Sequence, residues 1–228
     1  MTPVPRGAND GALPWRDPVA RALFRLLPAD VLCFVDTDAR AFALTFDDGP
    51  HPSTTPGLLD VLARHSAHAT FFLIGERVAG NEAIVARIAA EGHEVANHLM
   101  RDERSVLVPA PRFRDELAKV TALLAEYGPV RWVRPGSGWF TPRMLRDASG
   151  QDLRIVLGTM AAMHTGGPGD GSIIPRLLGE IRPGSIVVLH EGSPGRGGVV
   201  ASTDELLAGL GARGFAAVTV SELVALRR

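Results

Sequence analysis

Two carboxylates stand side by side at Asp47 and Asp48, within the stretch TFDDGP. Adjacent acids repel unless something positive neutralises them. Neighbours on an extended chain point to different sides, so one can hold a metal ion while the other faces a substrate. A second pair, His98 and Asp102 in NHLMRD, is four residues apart. On one helical turn that spacing shares a face and lets an imidazole and a carboxylate grip one ion. Asp48, His98 and Asp102 together make three protein ligands with positions left open for water, as in a catalytic metal site. The N/O donor set suits Zn²⁺ best, with Co²⁺, Mn²⁺ or Ni²⁺ compatible. Arg134, in RPGSG, has its backbone held extended by Pro135 and can pair with Asp47. His190 follows the apolar run IVVL and can carry a proton. Each residue also has a plainer reading. DDGP is good turn chemistry, HxxxD suits a surface pair, a histidine after an apolar strand suits the core, and Arg134 suits an ordinary rim position.

Hydrophobic patterning shows how such residues are gathered. Seven apolar runs read as strands: Phe42 to Phe46, Thr70 to Ile74, Glu94 to Asn97, Arg131 to Arg134, Arg154 to Leu157, Ser185 to His190 and Ala216 to Val220. Most do not alternate, as expected of strands buried on both faces. Helical patterns lie between them. One opens at Thr55-Pro56 and carries Leu58, Leu59 and Leu62. A second carries Ile84, Val85 and Ile88 and ends at Gly92. A third repeats Phe113, Leu117, Val120 and Leu124 and closes at Gly128. Strand starts recur every ~23 to 37 residues, the size of a βα unit. The expected fold is α/β: a distorted (β/α)7 barrel in a single domain over residues 41–228, preceded by an arm and short helix over residues 1–40. In such a fold the acids, histidines and arginine that follow four different strands meet on one rim.

Composition narrows the function classes. Lys+Arg is 24 against Asp+Glu 25, a net charge of -1, so no broad basic face exists and nucleic acid is not an expected partner. Cys33 is the only cysteine, which excludes an intrachain disulfide and a CxxC centre. No run of about 18 uncharged apolar residues occurs, so no membrane span is expected. No apolar stretch directly follows Arg6, so no secretory signal is read. The expected location is cytoplasmic, or extracytoplasmic if the N-terminus was trimmed. No GxGxxG or Walker loop follows any strand, which argues against a nucleotide-binding module.

The quoted residues, in this order, resemble the polysaccharide deacetylase family, also called NodB-homology or carbohydrate esterase family 4. TFDDGP followed by ATFF, GHEVANH at 92–98, RPGSG at 134–138 and VVLHEG at 187–192 carry the resemblance over roughly residues 41–226. The resemblance implies a distorted barrel and a hydrolase that removes acetyl groups from N- or O-acetylated carbohydrate. By position it implies Asp47 as catalytic base, Arg134 as the residue that orients it and His190 as general acid. It implies Asp48 and His98 as metal ligands, and Leu189 as an apolar wall of the acetate pocket. Ser137, Gly138, Trp139 and His164 would line the substrate, with a backbone N–H near Ser137 facing the oxyanion. Three positions depart from the family pattern. Asp102 stands where a second histidine ligand is usual, and Ser137 stands where an aromatic is usual. The acid that supports the catalytic histidine is not legible, with only His164 or Asp170 on offer. Two rival readings follow from these departures: an amidohydrolase acting on a small non-sugar substrate, and a carbohydrate-binding pseudoenzyme.

Overall fold

The computed structural model describes residues 28–161, 173–192 and 196–228. Their strands are β1 Val31–Leu32, β2 Ala41–Gly49, β3 Thr70–Leu73, β4 Glu94–Asn97, β5 Trp132–Val133, β6 Arg154–Val156, β7 Met160–Ala161, β8 Ile186–His190 and β9 Ala216–Val218. Their helices are α1 Thr55–Arg64, α2 Gly75–Val78, α3 Glu82–Ala90, α4 Ala110–Leu124, α5 Pro142–Ser149, α6 Ile173–Glu180, α7 Gly198–Gly211 and α8 Val220–Ala225. The strands form one sheet in the order β1-β6-β5-β4-β3-β2-β8-β7, with β9 also on β2. All the ladders are parallel.

The α/β fold and the single domain are as expected, and all seven expected strands are present. The sheet also contains β1 and β7, two residues each. A two-residue strand carries no periodicity to read. β1 pairs with β6, and Val31, Leu32, Cys33 and Val35 are buried. The arm expected to run to residue 40 therefore gives way to the domain near residue 31. Irregular chain draws the two ends of the sheet together. Phe34 bridges Ser185, Val35 N–H donates to Gly184 O at 2.9 Å, and Thr159 Oγ1 donates to Cys33 O at 3.2 Å.

Strand alternation divides the core. On β2, Phe42, Leu44 and Phe46 pack with Leu58, Leu62, Leu206 and Leu210 from the helices. Ala41 and Ala43 face the other way, with Phe72, Trp132 and Ile186. Asp47 and Thr45 follow the alanines on that inner face. All nine residues of β2 are buried, so the central strand delivers its acids into a protein interior.

The expected apolar face of α4 is the observed one, with Phe113, Leu117, Val120 and Leu124 buried. That helix ends at Leu124, short of Gly128. The N-cap of α1 is Thr54, whose side chain makes no capping bond. The hydroxyls of Thr54 and Thr55 donate instead to Glu191 Oε2, at 2.9 and 2.7 Å. Glu191 thereby ties the end of β8 to the start of α1.

Burial pushes the Glu191 carboxyl up to about 7, against the opposing pull of the Thr55 and Thr54 hydroxyls. The folded value lies above the ordinary carboxylate one. The folded state therefore binds the extra proton, and stability is complete at low pH and falls as pH rises toward about 7. Glu191→Gln mimics the protonated form and lacks this decline. Urea unfolding of both proteins from pH 4.5 to 7.5 should show the variant gaining up to about 3 kcal/mol on the parent across that range. A constant difference would mean that Glu191 does not titrate there.

Candidate active site

Parallel strands put their C-terminal ends on one rim, where βα loops can carry chemistry. Asp47 and Asp48 lie at the end of β2, His98 directly after β4, Arg134 directly after β5, and His190 at the end of β8. Of the five left-handed non-glycine residues among those described, three lie on the same rim, and Ser66 and Asp152 lie in turns elsewhere. Asp48 (φ 70), Leu99 (φ 64) and Ser137 (φ 67) are left-handed non-glycine residues, each costing of order 1–3 kcal/mol. The β2–β3 register shifts between Asp47 and Gly49. That irregularity falls on Asp48 and re-aims its side chain away from simple alternation.

Asp47 is aligned with His190 on the neighbouring strand. Its Oδ1 accepts from Arg134 Nη1 at 2.5 Å, and its Oδ2 lies 3.9 Å from His190 Nε2. Arg134 is held through Nε and Nη1, while its Nη2 is buried without a hydrogen-bond partner. Its Nε donates to Val156 O at 3.1 Å and its Nη1 to Thr45 Oγ1 at 2.9 Å. Its guanidinium lies 4.0 Å from the Phe72 ring centre. Both members of the Asp47–Arg134 pair are buried, at 4% and 3% side-chain exposure. These bonds commit Asp47 Oδ1 to Arg134 and leave Oδ2 as the oxygen turned toward His190.

The second pair is equally fixed. His98 Nδ1 lies 2.6 Å from Arg134 O. A carbonyl only accepts, so Nδ1 carries a proton and the Nε2 edge faces Asp48 Oδ1 at 3.2 Å. Burial opposes charge on His98, but the Asp47 charge and the Asp48 hydrogen bond outweigh it and raise the imidazole. Burial likewise opposes charge on Asp48. The His98 hydrogen bond and charge, with Arg196, outweigh it and hold the carboxyl well below its usual range. Arg196 Nη1 donates to Asp48 Oδ2, and Arg77 Nη1 donates to Asp48 O.

A divalent ion fits the pair in its chemistry. A carboxylate oxygen and an imidazole Nε2 converge, and the other ring nitrogen is tied to a backbone carbonyl, as in metal-bound histidines. Asp102 is placed differently from the other two candidate ligands. Its side chain is 56% exposed and faces Arg77 Nη2 at 3.5 Å. Among the described residues, no group of three His, Cys, Asp or Glu side chains is gathered to hold an ion. Each carboxylate of the expected set lies against a guanidinium, Asp48 against Arg196 and Asp102 against Arg77.

The other expected residues divide in the same way. Ser137, Gly138 and Trp139 are exposed after β5, with Trp139 at 72%. Leu189 is fully buried in the cluster of Phe46, Leu44 and Leu58 on the helix side of the sheet, since strand alternation turns it away from His190. Val188, buried and two residues before His190, shares the histidine's face instead. His164 and Asp170 lie outside the described residues. Reading the sequence had missed Arg196, Arg77, Val188 and Thr45. Val188 and Thr45 were available from period-two alternation. The arginines were two among many, and nothing local marks them.

A family model described as polysaccharide deacetylase matches residues 34–156. The chain is 36% identical over 151 residues to a chitooligosaccharide deacetylase of Bradyrhizobium sp. (strain ANU 289), covering 65% of this chain and 69% of that protein. It is similar in structure to the Bc1960 peptidoglycan N-acetylglucosamine deacetylase, with a TM-score of 0.81 at 29% identity over 87% of this chain and 95% of that one. A family 4 acetyl xylan esterase from Clostridium thermocellum, in complex with a cobalt ion, matches with a TM-score of 0.75 at 28% identity over 82% of this chain and 91% of that one. The chain belongs to the polysaccharide deacetylase family.

Proposed function

We propose that the chain is a metal-dependent hydrolase that removes acetyl groups from N-acetylated carbohydrate, cleaving a C–N bond other than a peptide bond. One observation carries this reading above the others. Asp47 is pinned by the buried Arg134 while its second oxygen and His190 flank the same spot from adjacent strands. A module that only binds sugar has no use for an acid–base pair held so firmly. The relatives named above act on chitooligosaccharide, peptidoglycan and acetyl xylan, and the proposed substrate class follows theirs.

Asp48, His98 and Asp102 would hold the ion, Zn²⁺ or a similar divalent metal. When bound, such an ion polarises an acetyl carbonyl and makes water a nucleophile near neutral pH. Asp47 Oδ2 takes the proton from the attacking water, because Oδ1 is committed to Arg134. Arg134 fixes the carboxylate and offsets its charge. His190 donates a proton to the departing amine. Trp139, whose ring stands in solvent beside Ser137 and Gly138, offers a flat face to a sugar. O-acetyl esters fit the same arrangement with less need of the acid.

Metal binding tests the ligand assignment. In His98→Ala, Co²⁺ or Zn²⁺ affinity should fall by at least tenfold, about 1.4 kcal/mol, and Asp102→Ala should show a similar loss. Asp102→His should retain the ion. Affinity in Asp102→Ala equal to the parent would make that carboxylate a bystander and leave Asp48 and His98 as the protein's ligands.

A further inference from the structure

We propose that Arg196 is a built-in competitor for the metal-side carboxylate, its guanidinium on Asp48 Oδ2 weakening the hold of Asp48 Oδ1 and His98 on a divalent ion. The inference rests on the metal reading above and goes beyond it, because it concerns a residue outside the expected ligand set.

Three observations point the same way. Arg196 Nη1 is bonded to Asp48 Oδ2, the carboxylate oxygen that His98 does not face. The same nitrogen donates to Glu191 O at 2.7 Å, so the guanidinium is seated by the main chain next to His190. Arg77 does the matching service at the other end of the ligand set. It bonds to Asp48 O and lies 3.5 Å from the Asp102 carboxylate. Gly192 leaves room for this arrangement, since a side chain there would meet both Asp48 O and Arg77 Nη1. A buried carboxylate is costly without a cation. Arg196 supplies such a cation from within the chain beside His98, and an ion at Asp48 Oδ1 must share the carboxylate's charge with the guanidinium already on Oδ2. The arginine side chain is 31% exposed, so it has a route out to water.

The inference gives two measurable effects of opposite sign. In Arg196→Gln, the affinity for Co²⁺, followed by its visible absorption in the chelator-stripped 228-residue chain, should rise at least tenfold. The thermal midpoint of the same stripped protein should fall, because Asp48 loses one of its two cationic side-chain partners and keeps only His98. Arg196→Lys keeps the charge and should stay within about threefold of the parent affinity. Arg77→Gln frees Asp102 and should also raise the affinity, which provides a test should Arg196→Gln fail to fold. Equal Co²⁺ affinity in the parent, Arg196→Gln and Arg77→Gln would overturn the inference while leaving the metal reading intact. Equal rises in Arg196→Lys and Arg196→Gln would overturn it as well. Failure of Co²⁺ to bind any of the proteins would overturn both readings.

Discussion

Asp47→Asn is expected to lower kcat/KM by about 10³-fold for an N-acetylated oligosaccharide and for an aryl acetate alike, within the range that general-base groups contribute. Both substrates need the attacking water to lose its proton, and Oδ2 of Asp47 is the oxygen placed to take it. Asparagine is nearly the same shape and keeps an oxygen for Arg134 Nη1, now at 2.5 Å. It cannot accept the proton at the nitrogen that replaces Oδ2. The substitution also leaves a buried guanidinium without its counter-charge, and breaking a buried pair in this way costs about 3–5 kcal/mol. Thermal unfolding and metal content must therefore be read alongside the kinetics. A folded, metal-replete Asp47→Asn protein with near-parental activity would remove Asp47 from the mechanism.

His190→Ala should separate the two substrates. An amine leaves poorly without a proton, whereas a phenolate leaves without help. The expected loss is about 10²- to 10³-fold on the N-acetyl sugar and under about tenfold on the aryl acetate. His190 ends β8 in register with Asp47, with 18% of its side chain exposed, so it borders both the buried base and the solvent from which a substrate arrives. The variant leaves the Asp47–Arg134 pair and the His98–Asp48 pair in place. Equal losses on both substrates at unchanged metal content would show that His190 is not the acid.

Much of this arrangement was legible in the sequence because it depends on local patterns. Continuous apolar runs marked the buried parallel strands, and the polar residues directly after them marked the rim. Asp47, Asp48, His98, Arg134 and His190 converge for that reason. What escaped depended on long-range geometry. β1 and β7 are too short to carry a pattern, and they are strands only because β6 and β8 pair with them. Arg196 and Arg77 reach Asp48 from 148 and 29 residues away, a relation no spacing rule encodes. The resemblance implies Leu189 as a wall of the acetate pocket, yet strand alternation turns it to the face opposite His190. The HxxxD spacing suggested a shared helical face. The chain after His98 instead turns through a left-handed Leu99, which carries Asp102 out to solvent and Arg77.

The most direct test is the release of acetate and free amine from an N-acetylglucosamine oligosaccharide by the Co²⁺-loaded chain, assayed in parallel with Asp47→Asn. The expected result is acetate and amine in equal amounts from the parent and about a thousandth of that rate from the variant. A folded, Co²⁺-loaded parent that releases no acetate from N- or O-acetylated carbohydrate, or a rate unaffected by Asp47→Asn, would contradict it.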